Sequence, residues 1–195
     1  MAGIFGVVSK ENCVEDLFLG TFYLQHRAQD YCGLALYDGE KLNVSTHRGL
    51  VRQQFPKEKR MGLGGYSGVG SVAGDRQPVS ELMISGGMIL AFDGNVINYE
   101  SLKESLLIEG VSFSGYKSPE EVSDAVLISK IIARESDFVS GIKTLAKVMK
   151  GDFAIVALTS KGVYAARGWG RKPLVLDSNN KIAELFDDVV PIAIL

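Results

Sequence analysis

Short apolar runs separated by polar turns fill both ends of the chain, and apolar positions keep a helical period for long only through its middle. Ile4-Phe5-Gly6-Val7-Val8 predicts a first strand almost at the first residue, where a chain normally frays unless something ties it down. Val14, Leu17, Phe18 and Leu24 recur at helical spacing and predict a helix from about Val14 to Gln25, with Asn12 available as its cap. A hairpin follows: Gly33 to Tyr37, an Asp38-Gly39 turn, then Lys41 to Ser45. Asp-Gly between alternating runs favours a tight turn because both residues tolerate positive φ. Beyond the glycine-rich GLGGYSGVGSVAG stretch, Leu82 to Ser85 and Met88 to Phe92 predict two more strands.

The period then turns helical. Tyr99 to Glu109 predicts one helix, and Ser118-Pro119-Glu120-Glu121 reads as a capping box opening a second, through Ala133. Phe138 to Lys150 predicts a third, stopped by Gly151. Strands return at Phe153 to Leu158, Val163 to Arg167 and Leu174 to Leu176, with a return strand after Asn179-Asn180. Strands, then helices, then strands predict an α+β fold with layered sheets instead of a doubly wound parallel one. With no repeat, low-complexity tract or linker, residues 1–195 are expected to form one domain.

Composition changes this picture little. Hydrophobic residues make up 46% and charged residues 23% of the 195, enough apolar material for a real core. A net charge of −2 gives no pull toward nucleic acid or an anionic membrane. The basic cluster Lys57, Lys59 and Arg60 lies in a polar stretch and reads as a solvated loop. Cys13 and Cys32 are too few for a disulfide framework, which fits a reducing cytoplasm, and with only His26 and His47 no metal-ligand spacing arises. No signal-peptide pattern opens the chain, and its apolar runs are far too short to span a membrane.

Single motifs stay bland. Gly68-Val69-Gly70-Ser71-Val72-Ala73 matches the dinucleotide fingerprint in form, but Pro78 follows where the phosphate-binding helix would have to run. No phosphate loop and no nucleophile-elbow serine is present. Alone, His26 reads as a structural hydrogen-bonding residue, Asp93-Gly94-Asn95 as a turn and Asp124 as solvent-facing.

In order, the pieces resemble a family. Gly3-Ile4-Phe5-Gly6, Leu24-Gln25-His26-Arg27-Ala28-Gln29-Asp30, Gly49-Leu50-Val51 with Phe55, Gly68-Val69-Gly70, Gln77-Pro78, Asp93 to Asn98, Ser123-Asp124 and Gly170-Arg171-Lys172-Pro173-Leu174 resemble the class II glutamine amidotransferases. The likeness is strongest to the glutaminase half of the amidophosphoribosyltransferases and spans about Ala2 to Leu176. It implies the N-terminal nucleophile hydrolase fold: a four-layer αββα sandwich of two antiparallel sheets. It implies no cofactor. In such enzymes position 2, exposed by methionine removal, is a cysteine that attacks the glutamine amide, with its own α-amine as base.

Here the implied site is degenerate. Ala2 offers a methyl group, and Cys13 lies beyond the first strand with no adjacent α-amine. Ala73 stands where the resemblance implies a carboxylate-gripping arginine; Arg76 is the one nearby substitute. Asp93 replaces the oxyanion-hole asparagine, putting negative charge where negative charge must develop, although Gly94 keeps its N–H. Asp124 matches the aspartate that holds a ligand ammonium, and Arg27 matches an arginine near the nucleophile. Candidate binding residues are therefore Arg27, Asp93, Gly94, Asn95 and Asp124, with no catalytic residue.

The expectation is a domain that has lost glutamine hydrolysis and serves small-ligand binding, regulation or partner docking. The alternatives are a glutaminase unit silenced by Ala2 that feeds ammonia to a synthase subunit, and a purely structural subunit. The apolar tail Val189 to Leu195 suggests docking on such a partner or on a second copy. No acceptor-half phosphoribosyl-pyrophosphate loop follows Leu176.

Overall fold

The computed structural model describes residues 1–113, 122–168 and 172–175 in full, and the backbone alone of 176–178, 181–184 and 190–192. The first sheet joins β1 (Gly3–Val8), β2 (Tyr31–Tyr37), β3 (Leu42–Arg48) and β4 (Ser67–Ala73) in the order β1-β4-β2-β3. The second joins β5 (Val79–Met83), β6 (Gly86–Val96), β7 (Gly151–Thr159), β8 (Gly162–Arg167) and β11 (Val190–Ile192) in the order β11-β8-β7-β6-β5. A separate antiparallel pair, β9 (Val175–Ser178) and β10 (Lys181–Glu184), completes the strands. Every pairing in the two large sheets is antiparallel.

Three apolar layers follow from the alternation of side chains along these strands. Ala35, Val69, Ile89, Ala91, Val156, Leu158 and Val163 fill the space between the sheets. The outer face of the first sheet is covered by α1 (Val14–Tyr23), through Val14, Leu17 and Phe18, and by Val51 and Phe55 around α2 (Val51–Gln54). On the outer face of the second lie α4 (Tyr99–Ile108), α5 (Asp124–Ala133) and α6 (Phe138–Val148), packed on Leu90, Phe92, Phe153 and Ile155. The expected αββα sandwich is what the chain builds.

The second half of the glycine-rich stretch becomes β4, a strand buried along its whole length. Its glycines serve packing rather than phosphate binding. A methyl on Gly68 would meet Leu17 Cδ2 at 2.7 Å, and one on Gly70 would collide with Thr21 Oγ1. The helix can settle on this strand only because those side chains are missing. Thr21 has no room to yield: it is fully buried and donates to Leu17 O at 2.7 Å. Gly70→Ala is therefore expected to cost about 1–3 kcal/mol by overpacking, read as a lower urea midpoint; an unchanged midpoint would contradict this packing.

Several elements depart from the sequence expectation. The first helix stops at Tyr23, and Gln25–Arg27 form a separate 3-10 turn. The basic cluster is no loop: Pro56 caps α3 (Lys57–Met61), and Arg60 pairs with Glu15 while lying 3.7 Å from the centre of the Phe18 ring. Helices of four or five residues carry too few apolar positions to show a period. The second long helix starts at Asp124 with Ser123 as its cap, its hydroxyl accepting from Val126 N–H at 3.4 Å; the predicted capping box 118–121 lies outside the described residues. β6 runs on through Asp93-Gly94-Asn95 to Val96, so these residues are strand, not turn. Part of the apolar tail is used inside the fold, where Val190–Ile192 pairs with β8 as an edge strand; residues 189 and 193–195 lie outside the described set.

Candidate functional site

Position 2 lies at the mouth of the layer between the sheets, where β1 meets the far end of β6. Pairing of Gly3 with Val72 ties β1 to β4 at its first residue. The peptide at Ala2 is then held from both sides. Its N–H donates to Asp93 Oδ1 at 2.7 Å, and its carbonyl accepts from Arg27 Nε at 2.6 Å. Arg27 closes the ring by donating from its second guanidinium nitrogen to Asp93 Oδ2 at 2.9 Å.

A second cation reaches the same carboxylate. Lys172 Nζ lies 3.2 Å from both Asp93 oxygens. Asp93 is 6% exposed, so a nearly buried carboxylate is held between a guanidinium, an ammonium and a backbone amide. A buried carboxylate survives only with such partners. Alternation along β6 decides its placement: Ile89 and Ala91 face the inter-sheet layer, and Asp93 continues that row to its edge.

Arg27 is aimed by the 3-10 turn that follows α1. Gln25 braces that turn, its amide donating to Ala28 O at 2.7 Å while its carbonyl accepts from Val51 N–H at 2.6 Å. His26 stays exposed, with Nδ1 2.9 Å from Tyr23 O. On the other flank, Gln77 Oε1 accepts from Phe92 N–H at 2.7 Å and its amide donates to Asp75 Oδ1 at 2.9 Å. One buried glutamine thus fixes both the strand beside Asp93 and the turn carrying Asp75.

A cavity of about 290 Å³ opens in front of this cluster, lined chiefly by Ala2, Asp75, Gln77, Asp93, Gly94 and Asp124. Asp124 is the first residue of α5, where the helix dipole favours a negative charge. Its carboxylate also accepts from Val96 N–H, yet burial, followed by the nearby Asp75 charge, pushes its pKa above the usual carboxylate value. Gly94 admits no side chain, since a methyl there would run into Asp152 O and Phe92 Cζ.

The candidate residues therefore separate. Asp93, Gly94 and Asp124 share the cavity; Arg27 stands behind Asp93 and is not part of the lining. Asn95, next along β6, is exposed and outside it. Arg76 is also exposed and outside the lining, its charge acting instead on His47 of β3. Ala73 is buried in β4. Three contributors had no assigned role in the sequence reading: Lys172, Gln77 and Asp75. The first two belong to motifs of the resemblance; Asp75 carried no signal beyond its place beside Gln77.

Cys13 and Cys32 pack in the layer beneath α1, fully buried, and burial pushes both thiols up to about 11. Neither offers a thiolate to the cavity. Among the described residues no group of three or more His, Cys, Asp or Glu is arranged to hold a metal, and no helix is long and apolar enough to cross a membrane.

Comparison with known proteins places these features in a wider set. A family described as "Glutamine amidotransferase domain" matches residues 68–186. The amidophosphoribosyltransferase of Methanocaldococcus jannaschii is 30% identical over 188 residues, covering 90% of this chain and 40% of that protein. The Bacillus subtilis amidophosphoribosyltransferase is 27% identical, covering 84% of this chain and 36% of that protein. A solved B. subtilis glutamine phosphoribosylpyrophosphate amidotransferase, in complex with ADP and GMP, superposes with a TM-score of 0.73 at 26% identity, over 86% of this chain and 37% of that one. The structure described as the allosteric regulatory enzyme of purine biosynthesis gives 0.72 at 27% identity, over 85% and 37%. The chain spans about two fifths of the length of the curated relatives it matches.

Proposed function

The chain belongs to the family of glutamine amidotransferase domains, and from that premise we propose that it has lost glutamine hydrolysis and keeps the cavity as a binding site for a small amino-bearing ligand. One observation carries this reading: beside the methyl of Ala2 stands a carboxylate, Asp93, ion-paired to Arg27 and Lys172. Amide hydrolysis through an acyl intermediate needs a nucleophile and hydrogen-bond donors aimed at the developing oxyanion. A methyl group supplies no nucleophile, and an ionised carboxylate only accepts hydrogen bonds. One required part is thus missing and another is reversed from donor to acceptor.

What remains favours recognition. The cavity is near the lower end of the roughly 300–1,000 Å³ usual for small-ligand pockets. Asp124 offers a partly buried carboxylate that suits an ammonium group. Purified protein incubated with L-glutamine is expected to release no glutamate above a buffer control, while an amino-bearing ligand raises its melting temperature by binding only the folded state. Sustained glutamate release would overturn the proposal. The relatives' own reactions belong to chains of which this one matches only part, so they are not assigned to it.

A further inference from the structure

A second cavity, of about 390 Å³, opens on the outer face of the first sheet, where α1 meets α2 and α3, and shares no lining residue with the first. Its apolar lining is chiefly Phe18, Leu19 and Phe22; the two rings stack with centres 6.0 Å apart, and Leu19 is left 44% exposed. Its charged lining is Arg52, Lys57 and Arg60, with no Asp or Glu. Arg60 is locked in place: it donates to the two Glu15 oxygens at 2.9 and 3.1 Å, and to Phe55 O at 2.7 Å, while lying over the Phe18 ring. Glu15 is thus matched by Arg60, and Lys57 reaches it only through a longer-range attraction. The other acids of these helices, Asp16 and Glu58, are exposed and outside the lining. Lys59 is engaged by Gln54 O and His47. Arg52 and Lys57 are exposed, and among the described residues neither side chain has a hydrogen-bond or ion-pair partner. Two uncommitted cations therefore border an apolar wall that is already fixed.

We infer that this cavity is a binding site for a small aromatic carboxylate, its ring against Phe22 and Leu19 and its charge between Arg52 and Lys57. Aromatic side chains accept a further ring edge-to-face or offset. A guanidinium such as that of Arg52 serves both a ring face and a carboxylate. The same unmatched positive charge disfavours a ring that carries an ammonium. Because Arg60 and the two rings are held before any ligand arrives, binding orders little beyond the Arg52 and Lys57 side chains. The volume falls within the roughly 300–1,000 Å³ usual for small-ligand pockets. Of the basic cluster in the sequence, Arg60 serves packing and Lys59 braces the end of α2, which leaves Lys57 for this site. The inference is independent of reading the first cavity as a ligand site.

Three probes separate ring from charge: indole-3-acetate, tryptamine, which carries an ammonium on the same ring, and acetate, which has no ring. By titration calorimetry on the full chain at neutral pH and low salt, indole-3-acetate is expected to bind at least about ten-fold more tightly than either of the others. Arg52→Gln combined with Lys57→Gln is expected to weaken it about ten-fold, and added salt to weaken it as well. Leu19→Glu, which sets a carboxylate on the exposed apolar wall, is expected to abolish binding, with circular dichroism confirming the fold of each variant. Asp124→Asn, in the other cavity, is expected to leave the affinity unchanged. Tryptamine binding as tightly as indole-3-acetate would overturn the role of the cations, and acetate doing so would overturn that of the rings. Undiminished affinity in both the Arg52/Lys57 variant and Leu19→Glu would move the ligand elsewhere and overturn the site. No binding of indole-3-acetate would overturn the inference outright and leave the reading of the first cavity untouched.

Discussion

Asp93→Leu is expected to lower the unfolding free energy by about 3 kcal/mol, because it strands two cations at a nearly closed protein edge. The size of the effect follows from unequal exposure. The Asp93 side chain is 7% exposed, whereas Arg27 and Lys172 are 30% and 18% exposed. Each cation can turn partly toward water, which places the cost at the lower end of the roughly 3–5 kcal/mol typical of breaking a buried pair. The backbone adds to it, since Ala2 N–H loses its acceptor. Lys172→Met is expected to cost at most about 1 kcal/mol, as Asp93 keeps Arg27 and the amide. Urea unfolding reads both; a loss below about 1 kcal/mol for Asp93→Leu would show that this network does not hold the start of β1.

The second large effect concerns chemistry. Ala2→Cys alone is expected to remain as inactive toward glutamine as the wild type, even with Met1 removal verified by intact mass. Ala2→Cys combined with Asp93→Asn is expected to release glutamate at least about 10²-fold faster than Ala2→Cys alone, the usual worth of one oxyanion donor. The reason is the sign of the charge. With Asp93 present, the tetrahedral intermediate would develop its negative charge beside a carboxylate; asparagine turns that acceptor into a donor of similar shape. The double variant also leaves Arg27 and Lys172 without their counter-ion, so its fold must be checked alongside. Appreciable turnover by Ala2→Cys alone would mean that Asp93 does not govern the loss. A double variant no faster than the single would place the loss elsewhere, for instance at Ala73.

The fold itself does not depend on glutamine chemistry at this cavity. The sandwich depends on the three apolar layers and the close approach of α1 to Gly68 and Gly70. None of that needs sulfur at position 2 or an amide at position 93. The Asp93 cluster even gives the altered site a structural role of its own, tying the first strand to the second sheet.

Some of what depends on neighbouring residues was legible in the sequence. The Asp38-Gly39 hairpin closes with Tyr37 opposite Leu42, and Gly151 opens β7 just after α6, because turn preference and apolar period are local. The ordered motifs carried the family resemblance and hence the two stacked sheets. Only the tertiary structure decided which polar groups meet. Lys172 and Asp93 are 79 residues apart in the chain, Arg27 and Asp93 are 66 apart, and Ala2 and Asp93 are 91 apart. No local pattern encodes such pairings; they follow from the register of β6 against β7 and from the sheets facing each other. Packing at the end of β6 buries Asp93 and leaves Asn95 exposed, and the packed layers bring Asp75 and Asp124 to one cavity. Strand period sets each side chain's face, but only the packed sheets determine what lies across from it.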